Sequence, residues 1–150
     1  MSKTVFLAWA ALLLFWAAAF AGTDYVQDAP ERVKAADWSK MDTVSVTLTE
    51  YQFVPAHMSF RKDVPYKLEI KNTGTLKHYF VSEGFFKAIA TRKVQTTDGE
   101  VKAPYLNDIE VYPGRSIELY FIPVKEGNYD LLCTSEGHAE KGMRGKIHIK

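Results

Sequence analysis

Apolar and polar residues alternate with a period of two along much of the chain from Thr43 onward. Successive side chains of a strand point to opposite faces of a sheet, so this pattern predicts strands that each bury one face. The apolar positions of the clearest runs are Val44, Val46 and Leu48; Tyr66, Leu68 and Ile70; Ile117, Leu119 and Phe121; Tyr129, Leu131 and Cys133; and Ile147 with Ile149. Turn-forming residues separate the runs, at Asn72-Thr73-Gly74, Asp98-Gly99, Pro113-Gly114 and Glu126-Gly127-Asn128. Many short strands with regular turns predict an all-β sandwich.

Two segments depart from this alternation. We predict that residues 22–41 form an N-terminal tether, with one short helix where Asp28-Ala29-Pro30-Glu31 has the Asp-x-x-Glu arrangement of a helix start. Residues 42–150 then form the single domain. The stretch from Gly84 to Asn107 is longer than a simple strand connection, and its opening residues predict a short amphipathic helical insertion around residues 84–92.

The amino terminus has the features of a secretory signal. An apolar run from Val5 to Ala18 follows the positive charge of Lys3, and Ala19-Phe20-Ala21 is a small-x-small cleavage pattern. The run is shorter than the roughly 20 residues that span a bilayer comfortably. We therefore predict a cleaved signal peptide over residues 1–21 and an exported, periplasmic protein. The alternative is an uncleaved anchor that holds the domain on the membrane, facing the periplasm.

Composition narrows the function classes. After the signal, about 130 residues remain, which is enough for one domain with a core of its own. The 19 basic and 18 acidic residues nearly balance, so neither a nucleic acid nor an anionic membrane is expected as a partner. The single cysteine, Cys133, cannot form an internal disulfide. An unpaired thiol in an oxidising compartment needs protection by burial or by a metal.

The most informative motif is Cys-x4-His-x4-Met, formed by Cys133, His138 and Met143. Thiolate, imidazole and thioether are the ligand types that select copper. A second imidazole is available at His78, which shares its strand face with Phe80 and is therefore predicted to point inward, like Cys133. The alternative is that Cys133 is a small core residue and that the His and Met of the loop have no common role.

The motif resembles that of the cupredoxins, the type 1 blue copper proteins of the plastocyanin and azurin superfamily, over about residues 42–150. The residues that most resemble the rusticyanin and azurin branch are Tyr129, Cys133, Gly137-His138, Gly142-Met143 and Gly145-Lys146-Ile147. The resemblance implies a Greek-key β-sandwich with one copper ion, bound by His78, Cys133 and His138 and by Met143 as the weak axial ligand.

The same resemblance implies a function. It predicts a monomeric carrier of single electrons between larger redox proteins, such as a cytochrome c, an oxidase or a reductase. An enzyme is not expected, because copper oxidases and nitrite reductases need a second copper site and a binuclear centre needs two cysteines. Two alternatives stay open, a copper-handling or copper-tolerance protein with the same ligands and a metal-free adhesion sandwich. The segment from Gly84 to Asn107 is expected either to cover one end of the sandwich or to form a weakly basic docking surface for a redox partner.

The sequence departs from the family pattern at two positions. Tyr79 follows the first predicted ligand, where relatives commonly carry an Asn or Ser that links the two ligand loops by hydrogen bonds. Glu136 stands where related loops often have Pro, so a carboxylate is expected near the metal. His57 and His148 are predicted to be surface residues, and Met58 is predicted to pack in the core.

Overall fold

The computed structural model describes residues 24–150, so the predicted signal peptide and its cleavage lie outside the described residues. Two α-helices and one 3-10 helix are present in this part of the chain: α1 (Ala29–Ala35), the 3-10 helix (Trp38–Lys40) and α2 (Glu83–Ala88). The strands are β1 (Asp42–Thr49), β2 (Gln52–Val54), β3 (His57–Phe60), β4 (Tyr66–Asn72), β5 (His78–Val81), β6 (Ile89–Thr96), β7 (Gly99–Val101), β8 (Asp108–Val111), β9 (Ser116–Pro123), β10 (Gly127–Leu132) and β11 (Arg144–Ile149). None of the helices in residues 24–150 is long and apolar enough to cross a membrane.

The strands form two sheets. The first has the order β2-β1-β4-β9-β6-β7, and the second has the order β3-β11-β10-β5-β8. Two pairs of neighbours are parallel, β1 with β4 and β3 with β11. The remaining neighbours are antiparallel. This architecture confirms the predicted all-β sandwich.

The core lies between the two sheets and follows the predicted alternation. Strand β4 has its Tyr66, Leu68 and Ile70 buried while the residues between them are only half-buried. Aromatic rings dominate the centre, where Phe60 meets Phe121 edge to face with ring centroids 5.1 Å apart. Such aromatic pairs prefer this geometry and add about 0.5–1.5 kcal/mol to the stabilisation that burial provides. The packed core gives the strand ends fixed positions, and the predicted ligands His78 and Cys133 lie at two of these ends.

The helical insertion is shorter than predicted. Helix α2 begins at Glu83 and ends at Ala88, and residues 89–96 form strand β6 instead of continuing the helix. Strand β6 pairs with β9 from Ile89 opposite Pro123 onward. Tertiary pairing therefore overrode the local helical pattern, since these residues gain a ladder of backbone hydrogen bonds in the sheet, interrupted by one irregularity between Thr91 and Lys93.

The segment after α2 extends the first sheet through β6 and β7, and its Leu106 packs against the main core, so the expected cover over one end of the sandwich stays a prediction. Its basic residues also have local partners. Lys93 Nζ lies 2.8 Å from Glu100 Oε2, and the Arg92 guanidinium lies 4.5 Å from the centre of the Trp38 ring. Lys93 is therefore paired with a carboxylate, whereas Arg92 keeps its charge against a neutral ring, and the weakly basic docking surface stays a prediction.

The described part of the predicted tether packs on the first sheet. Residues of α1 and of the segment before it form a second buried cluster with the sheet, made of Val26, Ala29, Ala90 and Ile122. Ile89 and Phe121 belong to the main core, so their neighbours Ala90 and Ile122 lie on the opposite face. The helix starts where Asp28 predicts, although the Asp28 side chain makes no capping hydrogen bond and pairs with Arg32 instead.

Candidate metal centre

His78 is placed by the first residue of strand β5. The strand pairs with β8, with His78 opposite Val111, and its far end pairs with β10, with Val81 opposite Leu132. The inward parity predicted for this strand is present, since His78 and Phe80 are both fully buried. Strand β8 thus fixes the backbone at His78, and β10 fixes the far end of the same strand.

Cys133 follows the last residue of strand β10 and begins a loop that returns to β11. The loop closes on itself through its backbone. Cys133 N–H donates to Met143 O over 3.1 Å, Met143 N–H donates to His138 O over 3.0 Å, and His138 N–H donates to Ser135 O over 3.0 Å. These bonds gather Cys133, His138 and Met143 around one turn, and all three side chains are buried.

Two glycines of this loop have left-handed backbone conformations, Gly137 with φ 71° and Gly142 with φ 102°. A residue with a Cβ atom is disfavoured there by roughly 1–2 kcal/mol. Each of these glycines directly precedes one predicted ligand, His138 or Met143. The glycines therefore let the chain turn sharply enough to present both side chains to the interior.

The structure brings the three strong predicted ligands together. Nδ1 of His78 lies 3.2 Å from Nδ1 of His138. Cys133 Sγ lies 3.5 Å from Nδ1 of His138 and 3.9 Å from Nδ1 of His78. Nitrogen and sulfur ligands bind an ion such as Zn²⁺ at about 2.0–2.3 Å, so donors that share one ion lie roughly 3–4 Å apart. The observed spacings fit a single first-row metal ion.

The protonation chemistry of the cluster also fits a metal. Both imidazoles turn the same type of nitrogen, Nδ1, toward the thiol, and at most one proton can be shared between those two nitrogens. Burial first, and the proximity of His138 second, lower the pKa of His78 from its usual 6.5, against an opposing contribution from Glu50. A neutral imidazole is the form that binds metals. One thiolate and two imidazoles in a closed, buried site are the donor set that selects copper over the harder cations.

The second part of the predicted ligand set is Met143. Its side chain is fully buried within the same core as Cys133, as expected for a ligand or for a packing residue. The roles of His78, Cys133 and His138 as strong ligands and of Met143 as the axial ligand stay predictions.

At Tyr79, the first position that departs from the family pattern, the backbone contacts the cluster and the side chain points elsewhere. Its backbone N–H donates to Cys133 Sγ over 3.3 Å, a bond that does not depend on the side chain. The Tyr79 hydroxyl faces away and donates to Glu110 Oε1 over 2.8 Å. The two ligand segments are instead linked by Ser135, whose hydroxyl donates to the Lys77 carbonyl over 3.3 Å.

Asn72 supports the chain around His78. The sequence pattern indicates only a turn at Asn72-Thr73-Gly74 and does not reveal this role. The Asn72 side chain is completely buried. The amide nitrogen donates to the carbonyls of Leu76 and Val111, each over 2.8 Å, and the amide oxygen accepts from Gly74 N–H over 2.9 Å. Asn72 therefore ties the chain just before His78 to the strand opposite it.

Glu50 is a second such residue, and no local sequence signal points to it. Its Oε1 accepts hydrogen bonds from Thr75 N–H over 2.5 Å and Leu76 N–H over 2.9 Å. These backbone hydrogen bonds lower the pKa of Glu50 to about 2, so the carboxylate is ionised at neutral pH. The same oxygen lies 3.9 Å from Nε2 of His78.

Tyr51 covers the other imidazole. Its ring meets the His138 ring edge to face, with centroids 4.9 Å apart. Lys141 Nζ lies 4.3 Å from the centre of the Tyr51 ring and donates to the Tyr51 hydroxyl over 3.0 Å. His138 retains 6% of its surface exposed, whereas His78 and Cys133 retain none. Of the three strong predicted ligands, His138 therefore lies nearest to solvent.

His57 and His148 lie outside the cluster, as predicted. His57 is exposed in β3 and Met58 is buried beside it. His148 is half-buried in β11, with its Nδ1 2.8 Å from Asn128 Oδ1. Glu136 is exposed on the loop between Cys133 and His138.

The fold and the cluster match a known family. The profile of the cupredoxin-like domain covers residues 4–149, and the chain belongs to that family. A curated relative, the copper-resistant cuproprotein CopI of Rubrivivax gelatinosus, is 28% identical over 111 residues, which are 72% of this chain and 66% of the relative. The chain thus spans just under two thirds of the length of that relative.

Solved structures share the fold. A copper-containing nitrite reductase from Thermus scotoductus SA-01 has a TM-score of 0.59 and 16% identity, covering 84% of this chain and 33% of the reductase chain. An auracyanin from Roseiflexus castenholzii has a TM-score of 0.50 and 21% identity, covering 72% of this chain and 96% of the auracyanin. The donor set of the buried cluster and the cupredoxin-like family together identify copper as the metal of the site.

Proposed function

We propose that this protein is an exported copper protein that carries single electrons between larger redox proteins. The observation that carries the proposal is the buried cluster of His78, Cys133 and His138, whose donor atoms all lie within 4.8 Å of one another. Copper bound there would supply the Cu(II)/Cu(I) couple. Expected partners are a cytochrome c, an oxidase or a reductase, met by a monomer in the periplasm.

The way in which the chain holds the donors supports a carrier. His78 is fixed by a sheet, and the other donors are fixed by a loop that closes through its own backbone hydrogen bonds. A site held in this way by the folded protein changes little when the charge of its ion changes. A small structural change per electron favours rapid transfer.

Hydrogen bonding at the sulfur supports the same role. The N–H of Tyr79 points at Cys133 Sγ, and a bond of this kind stabilises negative charge on the sulfur. Hydrogen bonds to ligand sulfurs are among the features that set the potential of copper-thiolate sites. The strand that supplies His78 therefore also tunes the thiolate.

We propose a carrier rather than an enzyme because of the number and burial of the donors. Catalytic metal sites keep one coordination position open for water or substrate. Here two imidazoles, a thiolate and the buried thioether of Met143 would surround the ion with protein atoms, and His138, the most exposed strong donor, is only 6% exposed. Such a site exchanges electrons more readily than ligands.

Copper handling is the second candidate, and the specific observation in its favour is the relative that is named a copper-resistant cuproprotein. The same ligands would serve a protein that sequesters or delivers copper. The two functions differ in what leaves the site. A carrier releases an electron and keeps its ion, whereas a delivery protein gives up the ion to a recipient.

A two-part experiment tests the proposal. The visible spectrum of the Cu(II)-loaded protein should show an intense thiolate-to-copper band, and its absence would contradict copper binding through Cys133. Electron self-exchange, measured by NMR line broadening in mixtures of oxidised and reduced protein, is then compared with the rate of copper loss to an excess of chelator. Fast self-exchange with copper retained supports the carrier, and slow self-exchange with rapid copper loss supports copper handling.

A further inference from the structure

One atom of the buried cluster lacks a hydrogen-bond partner within the described residues, and it is Nε2 of His78. His78 is completely buried, so water does not reach its ring freely. A neutral imidazole carries one proton, and a metal on Nδ1 requires that proton to be on Nε2. The N–H group then points into a buried region without an acceptor at hydrogen-bond distance, which costs free energy.

A carboxylate lies on that side of the ring. Oε1 of Glu50 is 3.9 Å from His78 Nε2, which is too far for a hydrogen bond but close enough for an electrostatic attraction between the carboxylate and the N–H dipole. The Glu50 side chain retains 29% of its surface exposed. Solvent therefore screens the interaction only in part.

The position of this carboxylate is fixed by the chain next to His78. The N–H groups of Thr75 and Leu76 both donate to Glu50 Oε1. Gly74 leaves room for it, since a Cβ atom at that position would collide with the Glu50 carboxylate. The backbone that leads into β5 thus binds the carboxylate and holds it beside the ring.

We propose that Glu50 is a positioning residue of the metal centre, which holds His78 in the Nε2–H form and so directs its Nδ1 lone pair at the metal. The negative charge also favours Cu(II) over Cu(I) and lowers the reduction potential. The second statement rests on the proposed function, whereas the first concerns the metal-free protein and does not.

The central variant is Glu50→Gln, because the Gln oxygen can still accept from the Thr75 and Leu76 amides while the charge is lost. Glu110→Gln is the matched control. The Glu110 side chain is also 29% exposed, and it lies opposite Tyr79 in the sheet, where it pairs with Lys77 and the Tyr79 hydroxyl. Glu50→Asp, which keeps the charge, serves as the conservative variant, and Glu50→Ala, which removes the carboxylate, takes the place of Glu50→Gln if that variant does not fold.

The first measurement is the tautomer of His78 in the metal-free protein, read from long-range ¹H–¹⁵N correlations. The wild type and Glu110→Gln should have the proton on Nε2. In Glu50→Gln the tautomer ratio should move at least tenfold toward Nδ1–H, since the neutral amide oxygen that replaces Oε1 attracts the Nε2–H dipole less than a carboxylate does. An unchanged ratio in Glu50→Gln would overturn the proposal.

The second measurement is the potential of the copper-loaded proteins by voltammetry. Glu50→Gln should lower the affinity for Cu(II) tenfold relative to the affinity for Cu(I). For one electron, this change raises the reduction potential by about 59 mV. Glu50→Asp should stay closer to the wild type, and Glu110→Gln should shift it less. A shift in Glu50→Gln no larger than that in Glu110→Gln would overturn the electrostatic part. If the wild type takes up no copper, the proposed function fails, and the tautomer measurement alone decides the role of Glu50.

Discussion

The two halves of the metal centre are held in different ways. The strand half consists of His78 with Glu50 and the segment 72–77, and the loop half consists of residues 133–143. The loop half is organised by hydrogen bonds within its own residues. The strand half depends on side chains from other parts of the chain, since Glu50 is 28 residues before His78 and the buried Asn72 reaches across to Val111.

The halves also differ in their relation to solvent. His78 has no exposed surface, whereas His138 retains 6% and is covered by Tyr51, which is itself covered by Lys141. The difference shows that one half provides a fixed, buried anchor and the other brings the site close to the surface. Substitutions in each half should therefore have different consequences.

The largest effect is expected from Cys133→Ser in the loop half. Thiolate donation to copper produces the intense visible band, and a hydroxyl does not replace it, so the band should disappear. His57→Ala and His148→Ala, which alter imidazoles outside the cluster, should leave it intact. Absorption spectra of the copper-loaded proteins provide the check, and loss of the band in either histidine variant with the fold preserved would refute the ligand assignment.

Asn72→Ala should be the most damaging change in the strand half that leaves every predicted ligand in place. It removes three hydrogen bonds of a buried amide and leaves their backbone partners unpaired, which should lower the free energy of unfolding by about 2–3 kcal/mol. Copper affinity should fall as well. Chemical denaturation and copper titration measure the two effects. Asn128→Ala, on an exposed position, is the control and should change stability by less than about 0.5 kcal/mol.

Gly137→Ala tests whether the loop half depends on its backbone conformation. Gly137 has φ 71° and Gly114, in a turn without predicted ligands, has φ 70°. An added Cβ atom meets no other atom within 4 Å at either position, so both substitutions should cost the same, about 1–2 kcal/mol. Only Gly137→Ala should also alter the visible spectrum. Equal spectra for the two variants would mean that the turn does not position His138.

Met143→Leu probes the weakest predicted bond of the loop half. The change nearly conserves volume, so stability should fall by less than about 1.5 kcal/mol and copper should still bind. The potential should rise by roughly 59 mV for a tenfold change in relative affinity, because loss of a thioether donor disfavours Cu(II) more than Cu(I). Voltammetry measures the shift. An unchanged potential would indicate that Met143 is not coordinated.

The smallest effect concerns pH and the metal-free protein. Because the pKa of His78 is lowered in the folded state, the unfolded chain binds a proton that the native ring does not. The neutral His78 ring therefore contributes to the free energy of unfolding above pH 6.5. This contribution is lost as the pH falls below that value, by at most about 1.4 kcal/mol per pH unit. Urea denaturation at several pH values should show this slope. It should weaken in His78→Gln and persist in His57→Gln.

Local patterns determined much of this protein. The alternation of apolar residues predicts the sandwich and the inward direction of His78 and Cys133, because parity along a strand is a property of neighbouring residues. The spacing from Cys133 to His138 and Met143 predicts the loop half for the same reason, since the eleven residues 133–143 form a local turn whose ligand spacing can be read from neighbouring residues.

The tertiary structure alone decided the rest. Strand β6 replaced part of a predicted helix, and α1 packed on the sheet, because partners distant in sequence offered hydrogen bonds and apolar surface that local propensity does not register. Glu50, Asn72 and Tyr51 reach the site for the same reason. Their side chains are ordinary in sequence, and their importance comes from the folded chain, which places them against His78 and His138 across separations that no local pattern encodes.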